Sequence, residues 1–381
     1  MVVGFAPFAP HAGLSQRVTL NRRASFAPLD MKLGEDEKII CIGVAADSGC
    51  GKSTFMRRLT KVFGGANVGP LGGGFGNGGW ETNTLCSDVT TVLCLDDYHA
   101  NDRNGRKVSG MTALNTAEQN FDLMAEQMAA LKSGKEISKP IYNHVNGTLD
   151  APEVIKPTPI VIIEGLHPLA DKRVRDLLDF TIYLDISNEI KFAWKIQRDM
   201  AERGWTREQV EADIEKRKPD FSAFVAPQMA SADIVISVLP SVISKETVGT
   251  HLKVKLITKL GKEGLPPAGT VVPTTDVAVG DTSIKTESCG LKIASYKENF
   301  MGNDCSVVEM DGKITDINDY MTIEKLFTNT GAKTATELST ELIKVGPNSP
   351  GSLDGTGLFQ TITALKLRDY YEFATGTKVG A

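Results

Sequence analysis

The octapeptide Ala46-Asp47-Ser48-Gly49-Cys50-Gly51-Lys52-Ser53 directly follows the apolar run Ile39–Val44 and precedes Thr54, Phe55 and Met56. A buried strand feeding a small-residue turn that opens into a helix aims successive backbone N–H groups inward, where they cradle phosphate oxygens. In such a phosphate loop Lys52 neutralises the β- and γ-phosphates of a nucleotide and the Ser53 hydroxyl ligates Mg²⁺, so ATP and Mg²⁺ are the expected cofactors. Ala46 stands where the usual pattern has Gly. The loop by itself serves kinases, GTPases, motors and transporters alike.

Two further acids follow apolar strands. Val92–Leu95 runs into Asp96-Asp97-Tyr98-His99, with Asp102 and Arg103 close behind. Strand C-termini of an open parallel sheet surround its ligand crevice, so an acid there can take a proton from an attacking hydroxyl. Asp96 is the expected base; the alternative is that Asp96 or Asp97 caps the following turn. Ile160–Ile163 ends in Glu164-Gly165-Leu166-His167, the arrangement of a Walker B carboxylate that holds Mg²⁺ with Ser53, or else of an exposed strand tip. Lys195, Arg198, Asp199 and Arg203 share one face of a helical stretch and suit either a solvated surface or a cationic lid over a nucleotide. His99, Arg103, Arg106, Lys107, Tyr142 and His144 supply donors suited to a sugar phosphate.

These residues need elements to position them. The alternation of apolar runs and helical periods predicts strands over 39–44, 89–95, 159–164, 181–186 and 233–238. Helices are expected over 52–63, 116–132, 171–178, 188–203 and 206–217. The fold class is α/β, a phosphate-loop kinase core with a mainly parallel sheet and flanking helices over 35–240. Residues 241–381 read as an antiparallel β extension, with alternation at 251–257, 289–296 and 305–310, a hairpin turn at Met310–Lys313 and a terminal helix over 357–373. Gly64–Gly79 holds nine glycines and is expected to be a mobile surface loop without a regular element.

Composition narrows the class. A 381-residue chain with net charge −5 argues against nucleic acid as main partner, and no apolar run reaches the ~20 residues that span a bilayer. Six irregularly spaced cysteines form neither a secreted disulfide framework nor a CxxC zinc pair. Cys50, at a helix N-terminus among inward N–H groups, is expected to have a depressed pKa and to react readily. Residues 1–34 carry Arg17, Arg22 and Arg23 with no acid before Asp30, the chemistry of a targeting segment or of a disordered tail.

Taken together, the phosphate loop, Cys94–His99, Asp102–Lys107, Pro140–His144, Ile163–Pro168 and Phe192–Gly204 resemble the phosphoribulokinase family of plant and algal type, within the uridine-kinase-like superfamily. The resemblance resumes at Val307–Gly312 and Asp354–Thr361. It implies phosphorylation of ribulose 5-phosphate by MgATP in the Calvin–Benson cycle, a plastid-stromal homodimer, and Lys195, Arg198, Asp199 and Arg203 as a catalytic helix. It also implies a thioredoxin-reducible disulfide between Cys50 and Cys94. A second cysteine pair of the plant-type family is incomplete, since Ser295 answers Cys289. Weakened complexes with glyceraldehyde-3-phosphate dehydrogenase and its disordered linker protein are therefore expected. Phe5-Ala6-Pro7, Phe8-Ala9-Pro10 and Ala24–Pro28 resemble the presequence motif of algae with secondary plastids, where an apolar signal segment precedes it; a longer start is expected in a full-length transcript. The rival readings are another small-molecule kinase, such as one acting on uridine, and a non-catalytic nucleotide-binding scaffold.

Overall fold

The structure, a computed structural model, describes residues 38–63, 69–70, 84–87, 89–144, 146–243, 252–265, 292–312 and 355–376. The expected presequence, Cys289 and most of the glycine-rich stretch lie outside these residues.

Near-continuous apolar runs make strands that can be buried on both faces, and a parallel sheet is the arrangement that accepts them. Strands β1 (Ile40–Ala46), β4 (Thr90–Cys94), β7 (Ile160–Gly165), β8 (Phe180–Ile186) and β9 (Ile234–Pro240) pair parallel in the order β9-β8-β1-β7-β4. Every residue of β1 is buried. Short strands β2 (Gly69–Pro70) and β3 (Thr84–Cys86) continue the sheet antiparallel beyond β4. Gly69–Pro70 is thus a regular element inside the stretch expected to hold none.

At the other margin β10 (Leu252–Lys259), β12 (Asn303–Asp311) and β11 (Lys292–Phe300) add antiparallel to β9, giving one ten-stranded sheet. The β11–β12 hairpin turns at Met301-Gly302, both at positive φ. The turn expected at Met310–Lys313 is corrected there: Met310 and Asp311 end β12, paired to both neighbours.

Helix α1 (Lys52–Phe63) buries Phe55, Met56, Leu59 and Phe63, a 3.6-residue stripe worth on the order of 2 kcal/mol per side chain. The helix expected over 116–132 is broken: a 3₁₀ turn at Thr116–Glu118 precedes the extended Gln119, and Asn120 caps the regular helix by accepting from Leu123 N. Helix α2 (Arg103–Ser109) is capped by Asp102, which accepts from Gly105 N at 2.6 Å. Helix α3 is Phe121–Lys132. Of 171–178 only α4 (Lys172–Arg175) is helical.

Helix α5 (Asn188–Arg203), begun by Ser187 and ended by Gly204 at φ +65°, matches expectation. Helix α6 spans Arg207–Asp220, and α7 (Gly355–Thr375) packs against α1, β9 and β10. A hairpin foreseen in no pattern, β5 (Ile137–Tyr142) with β6 (Leu149–Ile155), stands apart as its own two-stranded sheet. Among the described residues no helix is long and apolar enough to cross a membrane.

Candidate active site

The parallel register sets the site. Glu164, near the end of β7, lies beside Val44 of β1 on one side and Cys94 of β4 on the other. The phosphate loop and the acid turn after β4 therefore flank one carboxylate, at the sheet edge where ligands of open α/β sheets bind.

In the loop, Gly49 and Gly51 take positive φ (82° and 73°), a conformation that L side chains rarely adopt. Gly51 O receives Phe55 N at 3.1 Å and starts α1, so Lys52, Ser53 and Thr54 stand at the helix N-terminus. Ala46 ends β1, fully buried. Lys52 Nζ donates to Asp47 O at 3.2 Å. Burial alone would lower its pKa, but Glu164 first, with Asp96 also in range, raises it. Lys52 and Asp96 thus lie within electrostatic range of each other.

After β4 a 3₁₀ turn, Leu95–Tyr98, sends the adjacent acids in opposite directions. Asp97 is fully buried, takes Lys139 Nζ and Tyr142 N (2.7 Å), and serves structure. Asp96 is half-buried and lies between two imidazoles. Its Oδ1 is 3.7 Å from His99 Nε2 and its Oδ2 is 3.9 Å from His144 Nε2. Burial would raise the Asp96 carboxyl; His99 and His144 in their protonated forms, with Lys52 and Arg106, outweigh it and hold the group below the usual carboxylate range. Neither acid caps the turn with its side chain, since Cys94 occupies the cap.

The residues around Tyr142 are tightly knit. The Tyr142 ring lies edge-on to His99 and His144, at 5.2 and 5.1 Å between centroids. Arg106 donates to Tyr142 Oη at 2.6 Å and to Asn101 O at 2.9 Å. Arg103 donates to His144 O at 2.7 Å and passes over Gly147, where an added Cβ would come within 2.5 Å of Arg103 Cβ. Lys107 is exposed on α2 and stands outside this cluster.

Helix α5 packs beside the phosphate loop. Arg198 reaches Ser48 Oγ at 3.4 Å and Asp199 at 2.8 Å, and Lys195 bridges Asp199 (2.7 Å) to Asp213 (3.0 Å) of α6. Asp199 is fully buried and Lys195 nearly so, which rules out a merely solvated face. Arg203 is the last residue of α5. Asp47 completes a circuit of alternating charge, binding Lys191 at 2.9 Å with Arg217 at 3.8 Å; these cations overcome burial and keep its pKa low. Lys191, Asp213 and Arg217 were not foreseen. The spacing of Lys191, four residues before Lys195 on α5, was the available signal.

Cys50 and Cys94 both border Lys52, and both are free thiols. The expected reactive Cys50 is overturned. Burial, aided by Asp47, pushes its thiol up to about 12, and burial likewise raises Cys94 well above an ordinary thiol. Exclusion of water outweighs the N–H groups of the loop.

A family model described as "Phosphoribulokinase / Uridine kinase family" matches residues 41–244. The chain belongs to this family. Within the phosphoribulokinase/uridine kinase family it is 49% identical over 397 residues to "Phosphoribulokinase, chloroplastic" of Mesembryanthemum crystallinum, covering 98% of this chain and 96% of the relative. Identity to the Chlamydomonas reinhardtii protein of that name is 48%, covering 96% and 95%. A "Uridine kinase" of Limosilactobacillus reuteri (strain DSM 20016) is 27% identical and covers 54% of this chain and 86% of its own.

Proposed function

We propose that the chain transfers the γ-phosphoryl group of MgATP to the 1-hydroxyl of D-ribulose 5-phosphate, giving ribulose 1,5-bisphosphate, in the plastid stroma. The observation that carries this reading is the Asp96 carboxylate, set between two imidazoles on the acceptor side and the Lys52 ammonium on the nucleotide side. The extent of likeness favours this acceptor over a nucleoside: it runs through the C-terminal extension for the phosphoribulokinases and stops at about half the chain for the uridine kinase.

Asp96 accepts the proton of the attacking hydroxyl as its oxygen bonds to the γ-phosphorus and the bond to the β-bridging oxygen breaks, releasing ADP. Lys52, with Lys195 and Arg198 from α5, neutralises charge spreading over the transferred group. Asp199 holds both α5 cations in place. His99, Arg103, Arg106, Tyr142 and His144 hold the phosphate of the acceptor, with Lys107 joining from the exposed side of α2. Glu164 and the Ser53 hydroxyl suit Mg²⁺, which offsets charge on the triphosphate. Among the described residues no group of three or more His, Cys, Asp or Glu side chains is placed to hold a metal ion.

Thiol control is part of this reading. A disulfide between Cys50 and Cys94 would tie the phosphate loop to the base-bearing turn, with two protons and two electrons passing to a disulfide oxidant and returning from reduced thioredoxin. Burial of the Cys50 thiol means that oxidation proceeds through an opened loop. The absent second cysteine pair favours weaker docking on the linker protein and glyceraldehyde-3-phosphate dehydrogenase. β11, at the sheet margin, suits pairing with a second copy in a homodimer.

A coupled ADP-release assay tests the assignment, with ribulose 5-phosphate and uridine as acceptors, before and after dithiol reduction. Turnover with ribulose 5-phosphate that increases on reduction is expected. Preference for uridine, or no turnover with either, refutes it.

A further inference from the structure

The break in the predicted 116–132 helix leaves Gln119 extended, bridged backbone to backbone with His99. Its amide Nε2 sits 3.0 Å from His99 Nδ1. Both residues are buried, at 7% and 6% exposure. Two other buried glutamines satisfy both ends of their amides: Gln127 on Tyr98 Oη and Ser138 O, Gln228 on Leu169 N, Leu166 O and Phe224 O. Gln119 does not. Its Oε1 is buried without a hydrogen-bond partner among the described residues, and the side chain's hydrogen bond is the one to the imidazole. An orphaned buried carbonyl carries an uncompensated desolvation penalty, so the amide is poorly explained as a structural strut.

An imidazole nitrogen that accepts a hydrogen bond carries no proton, and the remaining N–H then falls on the other nitrogen. In His99 that nitrogen is Nε2, the one facing Asp96 Oδ1 at 3.7 Å. We propose that Gln119 is a positioning residue for phosphoryl transfer, its amide donating to His99 Nδ1 and so keeping the ring neutral with its N–H turned toward the base and the acceptor.

The charged groups around the ring are Asp96 on its own turn, Arg106 from α2, His144 after β5, and His167 after β7. The Glu118 carbonyl lies 3.4 Å from Nδ1, a longer and weaker alternative. Burial lowers the His99 pKa, in keeping with a neutral ring. A cationic ring would hold Asp96 still more acidic and make it a poorer base; the neutral tautomer orients Asp96 without that loss. The inference rests on Asp96 as base, whereas the state of the ring can be measured without substrate.

Selective ¹⁵N-histidine labelling reads the ring directly, with His99→Asn assigning its resonance among the five histidines. The wild-type protein at pH 7.5 is expected to show a neutral ring protonated at Nε2. A ring protonated at Nδ1 overturns the proposal whatever the variants do. Gln119→Glu places a carboxylate at Nδ1 and should raise the ring pKa by about 1–3 units, lower kcat by about tenfold below that pKa and move the acidic limb of the kcat/KM profile to higher pH. Gln119→Leu should release the tautomer with a similar fall in kcat while ATP affinity is unchanged. An unmoved ring pKa in Gln119→Glu, or an unchanged tautomer in Gln119→Leu, also refutes it. A silent assay with the expected resonances would instead fault the assigned reaction.

Discussion

Asp96 and Asp97 are neighbours with opposite fates, and exchanging each for Asn separates chemistry from architecture. Asn keeps the volume and polarity of either side chain while removing the charge. At position 96 it removes the proton acceptor, and the loss of a positioned general base corresponds to about 10²–10⁴ in kcat, or roughly 3–5 kcal/mol of transition-state stabilisation. Stability should stay within about 1 kcal/mol, because Asp96 is a third exposed and its neighbours keep other partners. At position 97 the order reverses. Asp97 and Lys139 are both fully buried, and Asn leaves the ammonium with Glu153 at 3.0 Å and Pro140 O at 2.9 Å but without its main counter-charge. Breaking such a pair costs about 3–5 kcal/mol of folding stability. Tyr142 N also loses its carboxylate acceptor, so the acceptor cluster loosens as well. The assays are ADP release at saturating substrates, calorimetric titration of ATP and urea unfolding. Asp96→Asn with kcat within threefold of wild type, or Asp97→Asn unfolding at the wild-type midpoint, refutes this division of roles.

Other tests bear on particular contacts. His167 is fully buried, its ring nitrogens lack hydrogen-bond partners among the described residues, and burial lowers its pKa from 6.5 to about 4. The unfolded chain therefore binds a proton that the native one refuses: the stability is whole above about pH 6.5 and falls as pH drops toward 4, by about 2 kcal/mol at pH 5. His167→Leu should remove that slope in urea melts at pH 5 and 7.5; an unchanged slope counts against it. With Cys50 buried, Cys94 partly buried and both pKa values raised, thiol titration with an aromatic disulfide at pH 8 should modify both at least tenfold more slowly in the native than in the unfolded protein, and equal rates would refute this. Gly147→Ala forces a Cβ against Arg103 at φ +79° and should cost about 1–3 kcal/mol while raising the KM for ribulose 5-phosphate more than that for ATP; equal effects on both would disconnect Arg103 from the acceptor.

What the sequence disclosed tracks how local each signal is. Strands β1, β4, β7, β8 and β9 are apolar runs whose pattern is the burial itself, and α5 carries its own start at Ser187 and stop at Gly204. The phosphate loop, Asp96 and Glu164 follow such strands directly, so their convergence could be foreseen from topology alone. The β5–β6 hairpin escaped because Lys139, a charged residue, fills an inward position that a strand pattern reserves for an apolar one; its burial depends on Asp97 and Glu153, 42 and 14 residues away in the chain. Asp97 could not be told from Asp96 for the same reason, since its partner lies on that unrecognised strand. Lys191 and Arg217 were hidden likewise, their role fixed by Asp47 across the cleft. The break at Gln119 was invisible because apolar periodicity continues on both sides of it, and only the pairing of that extended residue with His99 shows what the interruption does. Residues whose chemistry is set by a strand end were legible; those set by a partner on another element needed the fold. The most telling mutations after Asp96 therefore lie at Asp47, Lys139 and Gln119, where no motif points.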